Sequence, residues 1–440
     1  MLDVHLFSDF LIALYSPSNL NKAFLFDFRL MNLKSITVFL TTLIVAGVAA
    51  AAGPEIIRIG ALNDLSAATS DVGRDYALGL DEAMRFVNDA GGVNGRPVAL
   101  YQYDYGYRVP EVLAKYKRFK RLGVAAVLGW HIVDTDALLD WVAEDKIPFL
   151  TTSYSAELTD PKKAPFNLFA ATDDSANARA ALTAWFDEKW PQKEAYGTRR
   201  PRVQFVYMVA SAKLSAPVKA IKDQAELFGF NVGPDVDVSI FAGDTSRQVQ
   251  ALKNFRPDCV WHGNTTLSVA ATIRGAVGAG LAAEHIVNSW AFDENLIRLL
   301  GDTADGVMGA SGCAYYGEDV PMMDKIREYG RKYHPGVPPE RRLVRTTQAW
   351  ANVLALREAL KRADTAGDLS GENIMKKGFE TFAGFDIGLG VSPLTYTATD
   401  HRASGRVNIY RIENRQFVLL TRIDLQGRWP VKWAKDWFGW

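Results

Sequence analysis

From Ile56 onward, short runs of apolar residues alternate with longer stretches in which apolar side chains recur every third or fourth position. The short runs read as strands and the longer stretches as amphipathic helices. The reading places strands at residues 56–62, 98–103, 124–129 and 148–152. Helices at 73–89, 109–121 and 135–145 lie between them. Runs such as Val124–Ala125–Ala126–Val127–Leu128–Gly129 have no polar face, as expected of strands covered on both sides. Strand–helix alternation of this kind builds right-handed crossover units on a mainly parallel sheet.

A second series follows the helix predicted at 175–190. Strands are expected at 202–209, 236–241, 259–262 and 285–290, with helices at 216–228, 245–255 and 268–279. Two further helices, 322–332 and 345–363, precede a hairpin of 406–412 and 417–423 closed at Asn414. The fold class is therefore α/β, with two Rossmann-like lobes.

The N-terminus departs from this pattern. Residues 31–52 hold Lys34, an apolar core over 36–48 and an alanine-rich end. They read as a cleavable secretory signal, too short in its apolar core for a spanning helix. No cysteine stands at the cleavage point, so lipid attachment is not indicated. Residues 1–30 lie upstream of this complete signal and read as a mis-assigned start or a disordered extension. A periplasmic location follows.

Acidic and basic residues balance at 50 each, and no basic stripe points to nucleic acid. The two cysteines, Cys259 and Cys313, sit at opposite ends of predicted parallel strands, so free buried thiols are expected rather than a bridge. No phosphate-binding glycine loop, nucleophile elbow or metal-spaced histidine pair is present, so no cofactor, metal or catalytic residue is predicted.

Polar and aromatic residues gather instead where strands end. Ser66 follows the first strand, and Trp130 and His131 the third. Thr152, Ser153 and Tyr154 follow the fourth. Asn264 and Thr265, then Trp290 and Phe292, end two strands of the second series. Strand carboxyl ends are where open α/β sheets hold ligands, and helix starts there suit a carboxylate. Plainer roles compete: serine and threonine before a helix serve as N-caps, His131 as a hydrogen-bonded structural residue, and the tryptophans as core. The aromatic C-terminus, WPVKWAKDWFGW, reads as a tail docked on its own lobe.

The spelling of the first unit resembles periplasmic solute-binding proteins of the branched-chain amino acid type. Leu65, Ser66 and Gly73 match the family's L-S-G-x-x-A-x-x-G loop, with Ala67 in place of its first glycine. Residues 88–96, NDAGGVNGR, match its second motif throughout, and YDYG follows at 103–106. The resemblance implies a type I periplasmic binding protein fold with three hinge crossovers, near 172–175, 312–317 and 391–396. It implies lobe 1 from 53–174 and 315–392, and lobe 2 from 175–314 and 393–440. It also implies a monomer that closes on a small molecule and delivers it to the membrane permease of an ABC importer.

In that family the segment matching 152–154 holds the ligand carboxylate. The acid and tyrosine that open the second lobe have no counterpart at 208–213, and the glutamate that pairs with the ligand ammonium aligns with Trp290. A buried ammonium without a partner is costly. The expected ligand is thus an aromatic or apolar carboxylate rather than a standard amino acid. An amino-acid receptor and a ligand sensor are the alternatives; an enzyme is not expected.

Overall fold

The computed structural model describes residues 55–191, 199–209 and 217–440. The expected signal segment and most of 208–213 lie outside the described residues. No helix among the described residues is long and apolar enough to cross a membrane.

The first sheet holds β1 (Ile57–Asn63), β2 (Val98–Asp104), β3 (Ala126–Leu128), β4 (Phe149–Leu150) and β5 (Asn167–Leu168). Its order is β2-β1-β3-β4-β5 and every pair is parallel. Helices α1 (Ser70–Asp89), α2 (Val109–Leu122) and α3 (Ile132–Asp145) make the returns. The chain then runs through α4 (Asp174–Lys189) into a second sheet. That sheet contains β6 (Arg202–Tyr207), β7 (Asn231–Val232), β8 (Val236–Asp237), β9 (Cys259–Gly263), β10 (Glu284–Val287) and β11 (Met308–Ser311). Its helices are α5 (Val218–Leu227), α6 (Ser246–Phe255), α7 (Thr266–Gly278) and α8 (Glu294–Leu300).

After β11 the chain crosses back. Helix α9 (Met323–Tyr333) and the long α10 (Val344–Thr365) pack on α1 of the first lobe. A small antiparallel pair, β12 (Ala383–Phe385) and β13 (Leu394–Thr395), precedes the third crossing. Strands β14 (Arg406–Glu413) and β15 (Gln416–Asp424) complete the second sheet, ordered β15-β14-β11-β10-β9-β6-β7, with β8 also beside β6. Only the β14 and β15 pairings are antiparallel in that sheet. This is the two-lobed, mainly parallel architecture that the residue pattern and the resemblance implied.

The hairpin turn has left-handed backbone at Asn414 (φ 49°) and Arg415 (φ 61°), as a tight hairpin loop demands. Both amides donate to Asp305, at 3.1 and 2.9 Å. Several boundaries shift. Strand 236–241 stops at Asp237, because the chain turns at Ser239, whose carbonyl accepts from Ala242, and leaves Phe241 exposed. Helix 135–145 starts three residues earlier, because the Asp134 carboxylate accepts the amides of Trp130 and His131 at 2.7 Å each and so caps its first turn. Strands β5, β7 and β12 are too short to show a period. The two cysteines are free and buried. Trp433 and Trp437 of the tail are buried in the second lobe's core.

The α1–α10 contact ties a late segment to an early one. Gly79 allows it, since a Cβ there would sit 2.9 Å from the Thr346 carbonyl oxygen. Asp75 accepts from the Thr346 amide and hydroxyl, both at 2.8 Å, at the start of α10. Fully buried Glu82 accepts from Arg342 at 2.5 Å and is bonded to His334 at 2.8 Å. Removing one partner of such a pair strands a charge in the interior. Arg342→Ala should therefore lower stability by about 3–5 kcal/mol in urea unfolding, and adding Glu82→Leu should restore much of it. A double variant no more stable than the single one would contradict this account.

Candidate functional site

A cavity of about 270 Å³ opens between the two sheets. The first lobe contributes His131 and Ile132 after β3, and Ser153, Ser155, Ala156 and Glu157 after β4. The second contributes Asp174, Ser175 and Asn177 at the start of α4, Val287 to Trp290 after β10, and Trp261 from β9. Lys219 is the lone cation among the described lining residues. Strand ends and helix starts of both lobes thus converge on one space, the usual ligand position in open α/β sheets.

Trp290 is the central aromatic. Its ring meets His131 edge-on at 4.2 Å between centroids, and Trp130 at 5.6 Å. The buried Arg345 guanidinium, at the start of α10, lies 4.5 Å from the Trp290 ring centre and donates to the Trp290 carbonyl at 2.7 Å. Its other arm donates to Gln348 at 2.9 Å, and Asp293 lies 3.7 Å away. A cation on an aromatic face is attractive, more so once removed from water. Burial and the Arg345 charge pull the His131 pKa down to about 3, so His131 is neutral at pH 7. The Tyr107 hydroxyl is hydrogen-bonded to His131 Nδ1.

Asp174 is the titrating group of the cavity. Burial pushes its pKa up to about 7, with the Asp173 charge adding to the rise and the hydrogen bond from Ser289 opposing it. The Ser289 hydroxyl donates to its Oδ1 at 2.7 Å, and its own amide donates to the Tyr154 carbonyl at 2.7 Å. Asp174 follows the N-cap Asp173, in a helix start that the sequence pattern marks only as structure.

Of the ten residues singled out from sequence, His131, Ser153 and Trp290 line the cavity. Trp130 stands one layer behind, buried, with its indole N–H donating to Thr69 at 2.8 Å. Thr152 is turned away, and its hydroxyl donates to the Trp130 carbonyl. Tyr154 packs edge-on against Phe169 at 5.5 Å, and Phe292 against Tyr315 and Phe417; both are core. Asn264 donates to the Val238 carbonyl at 2.9 Å, and Thr265 caps α7 while its hydroxyl donates to the Ile240 carbonyl at 2.6 Å.

Ser66 is exposed and outside the cavity. The reason lies in its loop, whose donors are already taken. Buried Asp64 accepts the amides of Ala67 and Thr69 at 2.8 and 2.7 Å and the Thr69 hydroxyl at 2.9 Å. Asp104 accepts the Leu65 and Gly106 amides at 3.0 and 2.9 Å. The chain's own carboxylates therefore accept the donors this loop offers. Gly73 is required because a Cβ there would lie 2.2 Å from the Asp64 carbonyl oxygen.

Sequence reasoning did not single out the lining residues Asp174, Ser175, Asn177, Asn288 and Trp261. Strand alternation could have turned Trp261 toward one face of β9, but which face meets the cleft is a tertiary fact. Among the described residues no group of three His, Cys, Asp or Glu is placed to hold a metal ion.

A comparison with curated proteins found no match. Solved structures do match. A substrate-binding protein of an ABC transporter from Aeropyrum pernix superposes with a TM-score of 0.75 at 29% identity, covering 84% of this chain and 96% of that one. A branched-chain amino acid ABC transporter protein from Thermus thermophilus with bound valine gives 0.75 at 20% identity, covering 86% and 100%. A solute-binding protein from R. palustris in complex with 4-hydroxybenzoate gives 0.70 at 14% identity, covering 86% and 99%. The periplasmic binding protein family matches residues 56–416, which take in the first sheet, the second sheet as far as β14 and all of the cavity lining but Trp440, and the chain belongs to that family.

Proposed function

We propose that the protein is the extracytoplasmic substrate-binding component of an ABC importer, acting by equilibrium binding without covalent chemistry. The observation that carries this is the cavity itself, walled by strand ends and helix starts of both lobes. The lobes, 53–174 with 315–392 and 175–314 with 393–440, would part and close about the three crossings, and the closed face would meet the permease. The apolar, alanine-ended segment 31–52 fits a secretory signal that brings the chain to the periplasm, and the protein would act there as a monomer.

The ligand is a small organic carboxylate, aromatic or apolar. The volume is at the low end of ordinary ligand pockets (about 300–1,000 Å³), which suits a single ring or a short chain. Its carboxylate would lie against the starts of α3 and α4, beside Ser153 and Ser155, where helix dipoles favour an anion. Its apolar body would rest on Trp290 and Trp261. A second reading rests on Asp174. Sequence reasoning set amino acids aside because no carboxylate remained for an ammonium, yet Asp174 stands in the cavity wall.

Proton linkage separates the two. Ionised Asp174 repels a ligand anion and attracts a ligand ammonium. The affinity of a plain carboxylate should fall as pH rises through about 7, while that of a ligand held by its ammonium should rise over the same interval. The same sign governs stability. A raised folded pKa stabilises fully below the unfolded value and loses that contribution as pH rises through about 7, so Asp174→Asn should raise the ligand-free melting temperature more at pH 8 than at pH 5. An equal gain at both pH values would remove Asp174 from this role.

A thermal-shift panel of amino acids, hydroxybenzoates, aliphatic acids and amides tests the function. At least one should raise the melting temperature and compact the protein in small-angle scattering; a broad panel that does neither would sink the receptor reading. For the ligand so found, Trp290→Ala should cost about tenfold or more in calorimetric affinity, as loss of a buried aromatic anchor does. Thr265→Ala, outside the cavity, should change it by less than about twofold. Equal losses from the two variants would misplace the site.

A further inference from the structure

The last residue of the chain, Trp440, also lines the cavity. The tail that carries it is bound to the second lobe at two points. Arg402 lies 4.0 Å from the Trp433 ring centre and donates to the Trp433 carbonyl at 2.5 Å. The Trp437 indole N–H donates to Asp223 at 2.9 Å, and Arg179, paired with that same Asp223, lies 4.3 Å from the Trp437 ring centre. Beyond Trp437 the chain leaves regular secondary structure, and Arg402 also lies 4.9 Å from the Phe438 ring centre. Gly439 takes left-handed backbone (φ 75°) and turns the final residue back. Trp440 is then held by Lys219, whose ammonium lies 3.7 Å from its ring centre, with Arg179 at 5.0 Å.

The end of the tail also reaches the other lobe. A Cβ on Gly439 would sit 3.6 Å from the Asp160 side chain and 3.9 Å from the Lys163 ammonium, both in the segment between β4 and β5. A segment anchored on one lobe and lying this near the other must draw away from it when the lobes part.

We infer that Trp440 is a ligand-contacting wall of the cavity and that residues 438–440 form a strap across its mouth, so that this segment limits both ligand size and access. The inference builds on the reading of this cavity as the ligand site, but its test needs no ligand. Lys219 fixes the indole by a cation–aromatic contact. The second wall of the cavity thereby depends on the last residue, and a shorter chain would present a wider, wetter opening.

The native cysteines are buried, so a single new thiol reports access. Ser155→Cys, on the first-lobe side of the cavity, is labelled with a sulfonated maleimide in the full chain, in Trp440→Ala and in a chain ending at Trp437. Exposed Ala282→Cys is the control. Labelling at 155 should quicken by about fivefold or more in both altered chains, because modification tracks the open population, and Trp440→Phe should restore most of the protection. Labelling at 282 should not change. Equal rates at 155 in all chains overturn the inference, whatever the metabolite panel finds. If the truncated chain fails to melt cooperatively, Trp440→Ala and Trp440→Phe alone decide it.

Discussion

The contact on which the site depends is the stacking of one guanidinium on one indole. Arg345 belongs to a helix packed on the first lobe, Trp290 to the loop after a strand of the second. Arg345 fixes the ring by lying against it and fixes the backbone by bonding the carbonyl of the same residue. The ring in turn lies against His131, at the start of a first-lobe helix. A charge as buried as Arg345 is stable only with partners, and these are Trp290, Gln348 and Asp293. The site is therefore built around a cation that no ligand need touch. Its effect on the cavity is indirect: it sets the position of the aromatic floor and adds to the burial that keeps His131 uncharged.

The second organising feature is the cost of burying carboxyl groups. Asp64 and Asp104 receive several amides each and so shape the first loop. At Asp174 burial, with the Asp173 charge beside it, raises the pKa to about 7. The same side chain type thus acts as scaffold in one loop and as a responsive group in another.

Much of the fold was legible because its signals are local. Apolar runs marked the long strands and periodic stretches the helices; Asn414 marked the hairpin. The motif over 88–96 pointed to the architecture. The short strands β5, β7 and β12 were not legible, since two or three residues carry no period. The site was legible only as a set of strand ends. Three of the ten chosen residues line the cavity and Trp130 supports it. The others, such as Thr152 and Thr265, spend their hydroxyls on nearby carbonyls, and a sequence does not say which way a hydroxyl turns. Asp174 was hidden for a similar reason: at a helix start it reads as a favourable dipole partner.

The three crossings have a consequence in time. The first lobe is finished by α10, which emerges long after its sheet, and the second sheet is finished by a hairpin close to the end of the chain. Neither half is a self-contained stretch of sequence, so native pairing must wait for distant partners, which slows folding. No single cut in the chain can therefore separate the first sheet and its helices from the second.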